Sequence, residues 1–319
     1  MPSPCGWSWL PTTPRAPGRS TPGSWLPARP ARRSSSINPE RRRCVAIDIH
    51  NHLHFPFGEP YTLEPERLIG PGVLRRVCLL SVGNVWTSYT QNEDETILRL
   101  ARTYEGFFVP FAHLDFTRQP ESVDDLHRRG FAGLKAIFPP FAYDDERCFP
   151  FYERAERHRM PILFHLGGSG YFPPEEVTLP ARRFASKHML LITIDLVAKL
   201  FPRLPIIGGH FGGGRDDYER AIYTARGHPN VYLETSCSSV ERGEAQLIKD
   251  ALELLGPDKI LYGSDSRLDG PVTKVAFWQQ RLAETGAGPA AVEKILWANA
   301  EELIGASGFD PGRIVLAEQ

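Results

Sequence analysis

The sequence predicts an α/β protein of the (β/α)8 barrel class, built as a single domain. Eight short runs rich in Val, Ile, Leu or Phe alternate with segments of helical spacing, which is the pattern of a parallel sheet joined by helices. Eight such units favour closure into a barrel over an open sheet. No Gly-x-Gly-x-x-Gly motif follows the first strand, so a dinucleotide site is not expected.

The apolar runs place the strands, because strands buried on both faces have nearly continuous hydrophobic sequences. The candidate strands are residues 44–49, 77–82, 107–112, 132–138, 161–165, 205–209, 230–235 and 259–263. Helical spacing between them is found at residues 93–104, 123–129, 152–159, 192–201, 218–226 and 245–255. A terminal amphipathic helix is predicted over 289–305, with a buried stripe formed by Val292, Ile295, Leu296, Leu303 and Ile304.

One boundary is visible in the composition. Residues 1–43 are crowded with Pro, Ser and Arg, contain Glu40 as the only acid, and have neither helical nor strand periodicity. Such a segment buries too little apolar surface to offset its ordering entropy, so we expect a disordered tail. A basic segment of this kind, with so few acids, is expected to be either a targeting peptide or residues that precede the true translation start. Residues 44–319 are expected to form the barrel domain.

Charge and cysteine content narrow the function classes. The net charge of -1 and the pI near 6.8 provide no field that would gather nucleic acid or an anionic membrane. No run approaches the ~18 apolar residues of a membrane span. The five cysteines are odd in number and never spaced as Cys-x-x-Cys, which favours reduced thiols. We therefore expect a cytoplasmic protein that acts on a small molecule and binds neither nucleic acid nor membrane; a homo-oligomer is left open.

Metal-ligand residue types follow four of the predicted strands. The segments that end in them are Ile47–His52, Leu163–His165, Ile207–His210 and Tyr262–Asp265. Residues at the carboxyl ends of barrel strands converge on one face of the barrel, where chemistry is assembled. Asp48, His50 and His52 also share a direction by strand parity, if the strand extends that far. Imidazole and carboxylate ligands suit Zn, Mn or Fe(II) better than Mg or Ca, so the sequence predicts a metalloenzyme.

These motifs resemble those of the amidohydrolase superfamily, and most closely its "amidohydrolase 2" branch. The resemblance covers roughly residues 45–305 and rests on order and spacing. The motifs that carry it are Asp48-Ile-His50-Asn-His52, Gly133-Leu-Lys135, Phe164-His165, Gly209-His210, Gly263-Ser-Asp265 and Asn299-Ala-Glu-Glu-Leu303. It implies a distorted TIM barrel with a catalytic divalent metal at the carboxyl ends of the strands, as one or two ions. Zn is the first expectation, with Mn or Fe as alternatives.

The resemblance also implies roles for single residues. His50, His52 and His165 would be metal ligands, and Asp265 would bind metal and handle the proton of the attacking water. His210 would ligate a second metal or act as acid/base. Lys135 falls where two-metal members carry a bridging carbamylated lysine, although a lysine at a strand end can simply bind a substrate carboxylate.

Several reactions are compatible with such a site. Activation of water for attack on an amide, ester or lactone is the first expectation. A decarboxylase or hydratase, a non-heme iron oxygenase and a metal-free binding protein are the alternatives. Aromatic residues after the strands suggest an apolar or aromatic pocket; the candidates are Trp86, Phe138 and Tyr143, with Tyr89, Phe141, Tyr171, Phe172 and Phe211 also in such loops. Arg215 and Arg267 are candidates to pair with a substrate carboxylate.

Overall fold

Eight parallel strands alternate with helices and form a TIM barrel. The computed structural model describes residues 46–53, 63–83, 93–168, 184–213, 217–236, 245–266 and 270–317. Each strand pairs with its neighbours in sequence order. The strands are β1 (Ala46–Asn51), β2 (Leu74–Leu80), β3 (Phe108–His113), β4 (Gly133–Ala136), β5 (Ile162–Phe164), β6 (Ile206–Gly208), β7 (Val231–Glu234) and β8 (Ile260–Leu261).

Helices follow the strands on the outside of the barrel. They are α1 (Pro65–Ile69), α2 (Glu93–Thr103), α3 (Ser122–Arg129), α4 (Phe149–Arg157), α5 (Ile192–Leu200), α6 (Tyr218–Gly227), α7 (Ala245–Leu254), α8 (Gly270–Glu284), α9 (Pro289–Glu293) and α10 (Asn299–Ala306). The predicted strands are therefore correctly placed, although most are shorter than predicted and β2 begins at Leu74 rather than at residue 77. Helix α8 is the main element that the helical spacing did not single out.

The barrel closes between its last and first strands. The Ile49 N–H donates to the Tyr262 carbonyl at 3.0 Å, and the Asp265 N–H donates to the His50 carbonyl at 2.7 Å. The second of these bonds lies at the carboxyl end of β1, beside the predicted ligands. Closure and the predicted site are thus joined through the same pair of strands.

The predicted terminal helix is present but is interrupted by a π-helical turn. Residues Lys294–Ala298 connect α9 to α10 in this conformation. The Ile295 carbonyl accepts a hydrogen bond from the Tyr262 N–H at 2.9 Å, and the Asn299 side chain donates to the Ile260 carbonyl at 2.9 Å. The turn therefore ties the end of the chain to β8. Of the predicted stripe, Ile295, Leu296, Leu303 and Ile304 are buried, whereas Val292 is only partly buried.

Alternate strand residues fill the barrel interior. Ile47 and Ile49 of β1 belong to one buried apolar cluster with residues of other strands, including Leu163 and Ile207. Ala300, Leu303 and Ile304 of α10 complete this cluster at the end of the barrel opposite the predicted site. Among the described residues, no helix is long and apolar enough to cross a membrane.

Candidate metal centre

The structure brings the predicted ligands together at the carboxyl ends of the strands. His50 and His52 lie at the end of β1, Lys135 in β4 and Asp265 just after β8. Two more residues complete the group; they are His165, directly after β5, and His210, in the 3-10 turn Gly209–Gly212 after β6. The side chains of Lys135, His50 and His52 are almost completely buried.

An irregularity in β1 directs the two histidines. Asp48 pairs with Val77 but Asn51 pairs with Leu79, so β1 has one more residue than β2 between these pairs. The extra residue changes the side of the strand to which the following residues point. The prediction that Asp48 shares a direction with His50 and His52 was therefore wrong. The Asp48 carboxylate instead accepts bonds from the Ser264 N–H at 2.8 Å and the Ser264 hydroxyl at 2.5 Å. Burial raises its pKa to about 7.

Hydrogen bonds assign the protons of the histidine pair. The Nδ1 of His52 lies 2.8 Å from the Leu80 carbonyl, which can only accept, so Nδ1 carries the proton and Nε2 keeps its lone pair. The Nδ1 of His50 lies 3.0 Å from Oε1 of Glu234, which gives the same tautomer. The two Nε2 atoms are 3.2 Å apart. Lone pairs facing each other at this distance are the arrangement of two nitrogen ligands that share a cation.

Asp265 completes this donor set. Its Oδ1 lies 3.5 Å from Nε2 of His52 and 3.9 Å from Nε2 of His50. The three side chains meet the geometry of a group that can hold a metal ion. Burial lowers the pKa of His52 to about 4 and that of His50 well below its usual value, so both rings are neutral at pH 7. Burial alone would raise the pKa of Asp265, but the positive charge that His50, His52, His210 and Lys135 carry when protonated lowers it below its ordinary value.

Lys135 and His165 flank the donor set. The Nζ of Lys135 lies 3.0 Å from Nε2 of His50. The Nε2 of His165 is buried and has no hydrogen-bond partner in the described part of the chain. A buried nitrogen of this kind is costly unless a ligand satisfies it. The residues present therefore fit a divalent ion held by nitrogen and carboxylate ligands.

Two glycines allow the loops after β5 and β6 to meet. Gly167 and Gly213 have φ angles of 101° and 105°, and a Cβ on Gly167 would lie 2.3 Å from the Gly213 carbonyl oxygen. Glycine is therefore required at this contact. The contact brings Nδ1 of His165 within 3.0 Å of Nε2 of His210. These two glycines, which follow the two histidines closely in sequence, thus permit a close backbone approach between the loops.

Glu234 and Ser236 are functional candidates that the sequence did not reveal. Glu234 ends β7, is completely buried and contacts both His50 and the backbone of His210. Ser236 bridges Glu234 to Nδ1 of His210 through its hydroxyl. The signal was present, because Glu234 ends a strand just as the predicted ligands do. A single glutamate in a strand has no characteristic spacing, however, and it was passed over.

The predicted substrate-binding residues have different outcomes. The Phe138 ring lies beside the site, with its centroid 6.2 Å from that of His165 and 4.5 Å from that of Phe184. Tyr143 is completely buried, and its hydroxyl donates to the carbonyls of Ala136 and His165 at 3.1 Å each. This position suits a support for the ends of β4 and β5. The remaining candidates lie outside the described residues; they are Trp86, Arg215 and Arg267.

Fold and donor cluster together define a TIM-barrel protein with a candidate metal centre at the carboxyl ends of its strands. The family model described as Amidohydrolase, of the amidohydrolase 2 group, matches residues 47–306. The chain therefore belongs to the amidohydrolase family, as its motifs predicted. No curated protein matches the chain.

Solved structures share the fold at low identity. The 2,6-dihydroxybenzoate decarboxylase from Rhizobium has 17% identity and a TM-score of 0.58, covering 82% of this chain and 98% of its own. A probable 2-pyrone-4,6-dicarboxylic acid hydrolase from Acinetobacter baumannii has 13% identity and a TM-score of 0.55, covering 82% and 99%. A dihydroxybenzoic acid decarboxylase from Polaromonas, solved with bound manganese, has 19% identity and a TM-score of 0.50, covering 76% and 85%. These likenesses establish the barrel fold.

Proposed function

We propose that this protein is a metal-dependent lyase that removes the carboxyl group of a small aromatic acid. The observation that carries the proposal is the convergence of two imidazole lone pairs and one carboxylate oxygen, from His50, His52 and Asp265, beside the buried Lys135. The hydrolase predicted from the sequence becomes the second candidate. Two solved decarboxylases of aromatic acids have this fold, and they support the choice of the lyase as the first candidate.

The ion would be held by His50, His52 and Asp265, with His165 Nε2 as a further donor. A bound divalent ion supplies positive charge that fixes a carboxylate or carbonyl and makes a nearby water more acidic. The donor set suits Zn, Mn and Fe(II), and the manganese of the Polaromonas decarboxylase makes Mn the first metal to test. A protonated Lys135 would add a second positive charge, which would favour an anionic substrate.

The protein residues have separate tasks in this reaction. The carbon–carbon bond to the carboxylate breaks, CO2 leaves, and the ring carbon takes a proton in place of the carboxyl group. We assign the relay of this proton to His210, whose centroid lies 5.3 Å from that of His50. Burial lowers the pKa of His210, so its neutral ring must first take up the proton, which the hydroxyl group of a hydroxybenzoate can supply, before it passes the proton to the ring carbon. Phe138 and Phe184 provide an apolar wall against which an aromatic ring can pack.

One observation favours hydrolysis as the second candidate. The Asp265 side chain is 13% exposed and faces the imidazoles of His50 and His52. In this position its carboxylate could accept a proton from an attacking water. The hydrolase from Acinetobacter baumannii, named for a pyrone dicarboxylic acid, has the same fold. Against this role, the lowered pKa of Asp265 makes its carboxylate a weak base at neutral pH.

The test combines metal analysis with product analysis. The purified chain is stripped of metal, reloaded with Mn, Zn or anaerobic Fe(II), and offered hydroxybenzoates beside pyrone and lactone carboxylates. CO2 release from a hydroxybenzoate, without oxygen consumption, is the expected result. Ring opening without CO2 would select the hydrolase, oxygen uptake by the Fe(II) form would select an oxygenase, and failure to bind any metal would refute all three reactions.

A further inference from the structure

The Glu234 carboxylate is surrounded by hydrogen-bond donors. Its Oε1 accepts from the His210 N–H at 2.6 Å, from the Ser236 hydroxyl at 2.8 Å and from Nδ1 of His50 at 3.0 Å. Its Oε2 accepts from the Ser236 N–H at 2.7 Å. Both oxygens are therefore engaged, at a position with no exposed surface. Gly263 packs so closely on Oε2 that a Cβ there would lie 2.3 Å away.

These bonds assign protons to a chain of three imidazoles. Because the Ser236 hydroxyl donates to Glu234, its oxygen is free to accept from Nδ1 of His210 at 3.1 Å. His210 then has its lone pair on Nε2, and so does His50. The Nε2 of His210 lies 3.0 Å from Nδ1 of His165, which must carry the proton between them. The lone pair of His165 is thereby placed on its unpartnered Nε2.

We propose that Glu234 is the positioning residue of this site, which fixes the tautomers of His50, His210 and His165 without binding the metal itself. A ligand role would require a free lone pair directed at the donor set, whereas the Glu234 oxygens face N–H and O–H groups. Carboxylates that accept from the distal nitrogen of a ligating histidine fix its orientation and raise its basicity. The inference rests on the proposed metal site, but its main test does not.

The test reads the tautomers directly, in protein without metal. Two-bond 1H–15N spectra of 15N-histidine protein distinguish Nδ1–H from Nε2–H rings, and single His→Gln variants assign the signals. In the wild type we expect His50, His165 and His210 all as Nδ1–H. In Glu234→Gln, the amide introduces an N–H facing either the Ser236 N–H or the His50 ring, so the His50 signal should shift towards Nε2–H. Metal affinity should fall by about 10- to 100-fold with the stoichiometry retained.

Ser236→Ala separates the two branches of the network. It removes the bridge to His210 and also the longer contact of the hydroxyl with Nδ1 of His50 at 3.2 Å, but it leaves the Glu234 carboxylate 3.0 Å from that nitrogen. His210 and His165 should therefore change tautomer while His50 remains Nδ1–H. Thr235→Val is the matched control, because Thr235 is equally buried in the same segment but bonds the Gly263 backbone through its hydroxyl. It should lose stability and keep all three tautomers.

The outcomes separate this inference from the proposed function. Unchanged tautomers in both Glu234→Gln and Ser236→Ala would overturn it, as would loss of the metal from Glu234→Gln with the His50 tautomer intact, since Glu234 would then be a ligand. If Glu234→Gln fails to fold, Glu234→Asp and Ser236→Ala carry the test. A wild-type chain that binds no metal would refute the proposed function, whereas the tautomers alone decide the role of Glu234.

Discussion

The two ends of the barrel are built on opposite principles. At the end opposite the candidate site, here called the lower end, Ala300, Leu303 and Ile304 of α10 pack onto the apolar interior. The Asn299 side chain donates to backbone carbonyls in and just before β8. At the carboxyl end of the strands, here called the upper end, four imidazoles, a lysine and two carboxylates lie within contact of one another, and Lys135, His50 and Glu234 are almost completely buried. Four of the six described non-glycine residues with positive φ are also there; they are Phe138, His210, Phe211 and Asp265.

This difference shows where stability is gained and where it is given up. Residues in sparsely populated backbone regions cost about 1–3 kcal/mol each and persist only where the surrounding structure holds them. Buried ionisable groups add a desolvation cost. The apolar interior and the α10 contacts offset both costs, since each fully buried large apolar side chain contributes about 1.5–3 kcal/mol. The strained backbone and the buried ionisable groups of the upper end are therefore stabilised by the apolar packing of the lower end.

The largest expected effect is at the donor set. His52→Ala removes one of the two converging lone pairs, and we expect metal affinity to fall by more than about 100-fold, because loss of a supporting residue alone costs 10- to 100-fold. Activity should fall with metal content, while the unfolding transition of the metal-free protein changes little. Titration with Mn and Zn measures the effect, and full metal retention by both His50→Ala and His52→Ala would contradict the site.

A comparison of kcat between the Asp265→Asn and His210→Gln variants distinguishes the hydrolase from the lyase. If Asp265 carries the proton, metal-replete Asp265→Asn should lose about 100- to 10,000-fold in kcat, as expected when a general base is removed. If His210 carries it, as proposed for the lyase, His210→Gln should show that loss and Asp265→Asn should lose mainly metal affinity. The comparison requires that chemistry is rate-limiting, which a solvent isotope effect checks. Near wild-type kcat in both variants would contradict both assignments.

Leu303→Ala tests the lower end by itself. Leu303 is 5% exposed and joins the interior cluster, so its truncation should lower the free energy of unfolding by about 2–5 kcal/mol. Because the site lies at the other end, kcat and metal affinity of the folded fraction should stay within about twofold of wild type. Denaturant unfolding and assays at low temperature measure both. Altered metal affinity in this variant would show that the two ends are coupled.

The upper end should also make stability depend on pH. Burial raises the pKa of Glu93 to about 7, although its carboxylate accepts bonds from the Val82 and Gly83 N–H groups. The native state then binds more protons than the unfolded chain, so its stability falls as pH rises from about 4.5 through about 7. Glu93→Gln should weaken this fall, which urea unfolding at pH 5 and pH 8 measures. An identical pH dependence in the variant would contradict the protonated carboxyl.

The sequence was sufficient for the fold, and it named most of the residues that the structure brings together at the candidate site. Apolar runs located all eight strands, and metal-ligand types at strand ends identified the residues from His50 to Asp265 that meet in the structure. Other features depend on pairing between distant segments, which no local pattern encodes. The β1 bulge is defined only by the register of β1 against β2. Glu234 gains its role from His50, 184 residues away, and the Tyr143 hydroxyl is committed to carbonyls of two other strands.

The smallest expected effect on stability and activity comes from truncation of the N-terminus. We predict that removal of residues 1–43 changes the free energy of unfolding by less than about 0.5 kcal/mol and leaves kcat and metal content intact, because the first β1 residue, Ala46, already bonds the Val73 carbonyl. Truncation before Asn299 is the contrasting variant. It removes Leu303 and Ile304 from the barrel interior and should abolish cooperative unfolding. Thermal melts of both truncations compare the two termini. A chain lacking residues 1–43 that is insoluble or inactive would show that the tail belongs to the domain, and the domain boundary would then lie well before residue 44.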